Sequence, residues 1–134
     1  MKYDEFIQRV QELAGVQTSD EALRLTQAVL ETLGERLYRT EQSQMAAQLP
    51  KGIKELFVAR QPPENTRRDV QGFSLEEFYH RVSARSGVSY PKALKQTKAV
   101  MAVLQEAVTS GQIEDVRREL PAEFDELFEP MNGE

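Results

Sequence analysis

The chain contains no cysteine and no tryptophan, and it has a single histidine, His80. The lack of cysteine excludes disulfides, a thiol nucleophile and any metal site with a cysteine ligand. One histidine excludes a polyhistidine zinc site, and a Ser-His-Asp relay would have to use His80. No apolar run approaches the roughly 18 residues of a membrane span, and the N-terminus lacks the apolar core of a signal peptide. We therefore expect a cytoplasmic protein with no membrane anchor, no cofactor and no metal.

Charge also restricts the classes of partner. The chain carries 17 basic and 22 acidic side chains, which gives a net charge of −5. Nucleic-acid binding depends on neutralising phosphates with lysine and arginine, so an acidic chain needs a local basic patch for it. The most basic local cluster supplies a possible basic interaction face made of Arg81, Arg85, Lys92, Lys95 and Lys98. Helical spacing places the three lysines opposite the apolar residues that follow them, which favours an ordinary solvated face.

The sequence contains an internal duplication. Tyr3–Val16 aligns with Leu75–Val88 at an offset of 72, with six identities in fourteen positions. One residue is then lost, and Ala22–Leu33 aligns with Ala93–Leu104 at an offset of 71. A duplication tolerates a single-residue slip best in a turn, so this pattern indicates two tandem repeats.

Each repeat is predicted to be helical, because apolar residues recur at intervals of three and four. Gly15 and Gly87 occupy the position of a left-handed helix C-cap. Thr18 and Glu21 have the spacing of a capping box that opens the second helix. Alternating strand patterns are absent from the sequence, so the predicted class is all-α.

Shorter helices complete each repeat. Thr40 is predicted to cap a third helix, which ends near Leu49 because a residue before proline disfavours helical geometry. Pro50 is predicted to start a fourth helix, and Pro121 opens the matching helix of the second repeat.

The predicted architecture is one helical domain, residues 1–134, formed as an eight-helix bundle. Repeat one covers about 3–58, a connector 59–73, and repeat two about 74–129. Each repeat alone is barely long enough to bury a stable hydrophobic core. We therefore expect the two four-helix repeats to pack together about a pseudo-twofold axis, an arrangement that favours a monomer.

The sequence also predicts the environments of two side chains, Arg81 and His80. Arg9 and Arg81 take matching places beside the apolar stripe, so we expect Arg81 to pair with a carboxylate between helices. His80 falls outside the apolar stripe of its helix and is expected to be exposed, without a catalytic role.

Four segments carry a resemblance to a known family. They are A-x-x-x-x-x-A-V-L-x-x-L-G-E-R-L at Ala22–Leu37, A-A-Q-L-P at Ala46–Pro50, F-x-x-R-V at Phe78–Val82, and D-V-R-x-x-L-P-x-E-F-x-E-L-F at Asp115–Phe128. With these segments the chain resembles the prokaryotic family catalogued as domain of unknown function 2267, over nearly its whole length. The resemblance implies a small helical protein and implies no site residues.

The sequence favours a non-enzymatic interaction or scaffold module of the bacterial cytoplasm, with another protein as its partner. No catalytic, cofactor-binding or metal-binding residue is assigned. Two alternatives stay open at this point. One is a nucleic-acid-associated module that uses the basic face of the second repeat. The other is a small-molecule binder with a pocket between the repeats.

Overall fold

The computed structural model describes residues 1–58 and 72–131. Over these residues the chain forms seven α-helices and a final 3-10 helix, with no strand. They are α1 (Tyr3–Ala14), α2 (Ser19–Glu35), α3 (Arg39–Gln48), α4 (Lys54–Val58), α5 (Leu75–Ser86), α6 (Tyr90–Ala107), α7 (Ser110–Glu119) and the 3-10 helix (Ala122–Phe128). The predicted all-α class is confirmed for this part of the chain. The predicted connector lies outside the described residues except for its last two, Gly72 and Phe73.

The helix ends that depend on local sequence lie where they are predicted. Gly15 ends α1 with φ of 71°, and Gly87 ends α5 with φ of 81°. Glycine takes this left-handed conformation without the steric cost that a Cβ brings. At the start of α2, the Thr18 hydroxyl accepts the Glu21 N–H at 3.1 Å, and Glu21 Oε1 accepts the Thr18 N–H at 3.1 Å. These reciprocal bonds form the predicted capping box.

The predicted start of α3 is wrong. The helix begins at Arg39, and the residue at the cap position is Tyr38 rather than Thr40. The Tyr38 N–H donates to Glu119 Oε1 of α7 at 3.0 Å. Because this acceptor comes from a distant helix, local sequence does not reveal where α3 begins.

The predicted start of α4 is also displaced. Pro50 is followed by a turn, and α4 begins at Lys54. Gly52 in that turn has φ of 98°, and a Cβ placed on it would lie 2.7 Å from the Tyr3 ring. Because Gly52 lies so close to the Tyr3 ring of α1, the chain keeps a turn here, and α4 begins later than predicted.

The two longest helices, α2 and α6, organise the core. Helix α2 packs against α1, α4, α5 and α6, while α6 also packs against α1, α5 and the 3-10 helix. Helix α3 lies between α4 and α7. The largest side chains with under 2% exposure come from both ends of the chain: Phe6, Phe78, Phe124, Leu25, Leu30, Leu33, Met45, Ile53, Met101, Leu104 and Leu127. One continuous apolar core joins all of these residues.

The described surface exposes two large hydrophobic side chains, Met1 at 46% and Tyr38 at 59%. Among the helices within residues 1–58 and 72–131, none is long and apolar enough to span a membrane.

Candidate ligand-binding cleft

A cleft of about 460 Å³ opens between the α1–α2 turn and the α5–α6 turn. Small-molecule sites typically enclose about 300–1,000 Å³, so the cleft has the size of such a site. Its walls are formed by Ala14, Gly15, Val16, Gln17, Glu21, Arg24, Leu25, Ser86, Gly87, Val88, Lys92, Lys95 and Gln96.

Three cationic side chains line the cleft: Arg24 from α2, and Lys92 and Lys95 from α6. All three are exposed, and none forms an ion pair with any residue inside the described ranges. Their charges are therefore available to a molecule that enters the cleft.

Among the described residues of the lining, Glu21 is the one carboxylate, and it accepts hydrogen bonds from the backbone. Its Oε1 accepts the Gln17 N–H at 2.9 Å and the Thr18 N–H at 3.1 Å. These backbone hydrogen bonds hold the pKa of Glu21 below its ordinary value. The side chain is thus an ionised cap of α2, with little capacity left to act as a general acid.

Gln96 forms part of the cleft wall and is an unusual core residue. The side chain is 5% exposed, and its Oε1 has no hydrogen-bond partner among the residues that the structure describes. A buried polar atom without a partner costs about 1–3 kcal/mol. The aligned residue of the first repeat is Leu25, which also lines the cleft. Its side chain is apolar and needs no hydrogen-bond partner.

The start of α6 adds positive potential beside the cleft. Ser89 is the N-cap residue, but its hydroxyl makes no capping hydrogen bond. The first turn of α6 contains no acidic residue and carries Lys92, whereas α2 has Asp20 and Glu21 in its first turn. Helix N-termini bear a partial positive charge, so a lysine there leaves the region more positive than usual.

The two arginines of the predicted basic face are occupied by structural ion pairs. Arg81 Nη1 lies 2.9 Å from Glu35 Oε1, and Arg85 Nη2 lies 2.7 Å from Glu35 Oε2. Arg81 also contacts Glu77 at 2.8 Å and lies over the Phe73 ring at 3.9 Å. The expectation that Arg81 pairs with a carboxylate between helices is confirmed, with α5 joined to α2.

The predicted face therefore divides into separate environments. Lys92 and Lys95 line the cleft, Arg81 and Arg85 bind Glu35, and Lys98 is half-buried outside the cleft. The five residues do not form one uniform exposed surface. Their role in binding stays a prediction.

A second ion pair joins α1 to α6. Arg9 Nη2 lies 2.6 Å from Glu106 Oε2, and Arg9 Nε donates to Glu106 Oε1 at 3.1 Å. Hydrogen bonding to Glu106 raises the pKa of Arg9 above its ordinary value. The contact is more exposed than that of Glu35, because the Arg9 and Glu106 side chains are 40% and 39% accessible.

His80 is exposed, as predicted, with 55% of its side chain accessible. Its ring centroid lies 4.4 Å from that of Tyr90, and Nε2 lies 3.8 Å from Glu76. Glu76 is exposed, Tyr90 is half-buried against the core, and neither residue belongs to the cleft lining. Within the described residues, no group of three or more histidine, aspartate or glutamate side chains is placed to hold a metal ion.

Comparison with known proteins identifies the family. The family model described as "Uncharacterized conserved protein (DUF2267)" matches residues 3–127. The chain belongs to this family. The match spans both turns and every residue that lines the cleft. No curated protein matches the chain. Because the family is described as uncharacterized, a function must be inferred from the residues themselves.

Sequence reasoning did not single out Arg24, Gln96 or Glu35. The repeat alignment carried a signal for each of them. Arg24 aligns with Lys95, Glu35 aligns with Glu106, and Gln96 aligns with the apolar Leu25. The missing hydrogen-bond partner of Gln96 Oε1, within the described residues, is visible only in the structure.

Proposed function

We propose that the protein is a non-enzymatic binding module, built of two helical repeats in one domain, which receives a small molecule in the cleft between them. The observation that carries this proposal is the cleft itself. It has the volume of a small-molecule site, and three cations on its wall form no ion pair with any residue that the structure describes. The sequence left a pocket between the repeats open as an alternative, and the cleft supports that alternative.

Reciprocal contacts support the arrangement of two repeats about a pseudo-twofold axis. In the sequence alignment Arg9 corresponds to Arg81, and Glu35 corresponds to Glu106. Arg9 binds Glu106, and Arg81 binds Glu35, so each arginine pairs with the glutamate of the other repeat. A twofold relation generates contacts in such reciprocal pairs. The packing of α1 on α6 and of α5 on α2 has the same reciprocity.

The lining of the cleft supports its position at the junction of the repeats. Twelve of the lining residues are aligned pairs: Ala14 with Ser86, Gly15 with Gly87, Val16 with Val88, Glu21 with Lys92, Arg24 with Lys95, and Leu25 with Gln96. Each repeat thus contributes the same structural positions, while the side chains at several of them differ. Because these side chains differ, the two halves of the cleft are not equivalent, whereas those of a symmetric dimer would be.

Binding is preferred to catalysis because of the chemistry of the lining. Its titratable groups are Arg24, Lys92, Lys95 and Glu21. The pKa of Glu21 lies below its ordinary value because backbone N–H groups bind its carboxylate, so it is a poor proton donor or acceptor near neutral pH. The cations are suited to holding an anion.

The other functions considered have weaker support. The interaction or scaffold role stays a prediction, since no described apolar patch indicates where a protein partner would dock. The nucleic-acid role is less favoured because Glu35 occupies both arginines of the basic face. A cytoplasmic location and a monomeric state remain our expectations.

The proposal is tested by blocking the cleft. Val88→Trp and Gln17→Trp each place a large ring at the lining, from opposite sides of the cleft, while Gln8→Trp adds the same ring at an exposed position outside it. The three variants and the original protein would be incubated with a protein-free small-molecule extract of the cells that make the protein. Bound mass would then be measured by native mass spectrometry, after circular dichroism has shown which variants are folded.

We expect a defined added mass on the original protein and on Gln8→Trp, and its loss from each folded cleft variant. Two results would contradict the proposal. One is the absence of any added mass on the original protein, and the other is its full retention by Val88→Trp and Gln17→Trp.

A further inference from the structure

We infer that the molecule bound in this cleft is a phosphate monoester, whose phosphate is held by Arg24, Lys92 and Lys95 and whose organic part fills the rest of the cleft. This inference rests on the proposed small-molecule function and specifies the class of ligand. It is carried by the charges on the cleft wall, by the start of α6 and by the volume of the cleft.

The charge of the cleft matches a dianion. Three cations and the single carboxylate of Glu21 leave a net charge of two positive units. This local excess occurs in a chain whose net charge is −5. A phosphate monoester carries close to two negative charges at neutral pH and three terminal oxygens that accept charge-assisted hydrogen bonds. A carboxylate ligand would neutralise only half of the excess.

The beginning of α6 favours the same ligand chemistry. In α2 the carboxylate of Glu21 accepts backbone N–H groups at the helix start. The aligned residue in α6 is Lys92, and Ser89 provides no side-chain cap. The second repeat therefore lacks the anion that the first repeat has at this position. An external phosphate beside Lys92 would stabilise the α6 terminus through the helix dipole, as anions do at helix N-termini.

The volume of the cleft indicates that the ligand has an organic part. The cleft encloses about 460 Å³, which is more than one phosphate group fills. Pockets of about 300–1,000 Å³ are typical of sites for small organic molecules. A monoester therefore fits the cleft better than free phosphate.

The position of the cations favours a small molecule over a nucleic-acid backbone. Arg24, Lys92 and Lys95 line one cleft, whereas a nucleic acid requires cations spread along its phosphates. The arginines that would extend the basic surface along α5 are already bound to Glu35.

The inference is tested by nuclear magnetic resonance titration of the complete protein at constant ionic strength. The probes are inorganic phosphate, glycerol phosphate and glycerol. We expect both phosphates to shift the amide signals of Gly15 and Gly87, and glycerol to have no effect. Arg24→Gln and Lys95→Gln should each weaken glycerol phosphate binding about tenfold, which corresponds to about 1.4 kcal/mol. Lys98→Gln, with the same charge change on the same helix, should bind as the original protein does.

The two phosphates separate the two parts of the ligand. We expect glycerol phosphate to bind more tightly than inorganic phosphate, because its organic part adds contacts with the cleft wall. Equal affinities for the two probes would contradict the assignment of an organic part to the ligand.

Several results would overturn the inference as a whole. They are the absence of phosphate binding, glycerol binding as tight as glycerol phosphate binding, or equal affinities for Lys95→Gln and Lys98→Gln. A DNA duplex that binds more tightly than glycerol phosphate, with the same dependence on Lys95, would replace the small molecule by nucleic acid. Retention of the small molecule by Arg24→Gln and Lys95→Gln in native mass spectrometry would leave the proposed function standing and refute its anionic ligand.

Discussion

Replacement of Glu35 by glutamine removes the charge that holds two arginines of α5 against α2. The carboxylate lies 2.9 Å from Arg81 Nη1, and 2.7 Å and 3.1 Å from the two terminal nitrogens of Arg85. Its side chain is 23% exposed, and those of Arg81 and Arg85 are 24% and 31% exposed. Glutamine retains the shape and one acceptor, so the main loss is electrostatic.

The expected cost follows from this partial burial. Hydrogen bonds to charged groups contribute about 1.5–3 kcal/mol when well shielded, and exposed pairs contribute about 0.2–1 kcal/mol. Arg81 keeps Glu77 as a partner and Arg85 keeps the Thr32 hydroxyl at 2.9 Å, which reduces the loss. We therefore expect Glu35→Gln to lower the free energy of unfolding by about 1–2 kcal/mol. The ion pair of Glu106 with Arg9 is more exposed, so we expect the aligned substitution Glu106→Gln to lower the free energy of unfolding by less.

Urea unfolding followed by circular dichroism would measure both variants, with each experiment repeated at high salt. The Glu35→Gln cost should fall as salt rises, since solvent ions screen partly exposed charges. It should also be smaller in an Arg85→Gln background, because the two residues then no longer interact. A Glu35→Gln cost no larger than that of Glu106→Gln, or one unaffected by the Arg85→Gln background, would refute the reasoning.

Two further stability predictions concern buried polar groups. Burial raises the pKa of Glu41 above its ordinary 4.5, with added repulsion from nearby carboxylates that outweighs its hydrogen bond from Gln112. Because the carboxyl pKa is raised in the folded state, ionisation of Glu41 makes the protein less stable as pH rises through that pKa. Glu41→Gln should therefore stabilise the protein by about 1 kcal/mol at neutral pH, and this gain should vanish in acid. Urea unfolding at several pH values would test this, with the exposed Glu114→Gln as the control, and an equal gain in acid would contradict it. The Thr97 hydroxyl is buried without a partner in the described part of the chain, while the aligned Thr26 donates to a carbonyl at 2.8 Å. We expect Thr97→Val to raise the free energy of unfolding by about 1 kcal/mol and Thr26→Val to lower it by about the same amount. The melting temperatures should shift in the same two directions. Shifts of the same sign for both variants would be inconsistent with these environments.

Local features of the fold were predictable from the sequence because their determinants lie within a few residues. The left-handed glycines that end α1 and α5, and the capping box of Thr18 and Glu21, depend only on adjacent backbone. The starts of α3 and α4 were not predictable in this way. Glu119 from α7 fixes the first, and the approach of Gly52 to the Tyr3 ring fixes the second.

The candidate site was predictable only in part, for a similar reason. Helical spacing correctly separates Lys92 and Lys95 from the apolar stripe of α6. It does not show that Arg24 of α2 lies across from them, because this depends on how the helices pack. The significance of Gln96 likewise depends on burial, since nothing in its sequence neighbours distinguishes it from a surface glutamine.

The most direct test of the central claim is a crystal structure of the protein grown with glycerol phosphate. We expect phosphate density in the cleft, within hydrogen-bonding distance of Arg24 and Lys95, with the glycerol part enclosed by the cleft wall. Phosphate density elsewhere on the surface, or a cleft closed by its own side chains, would contradict the assignment of this cleft as the binding site.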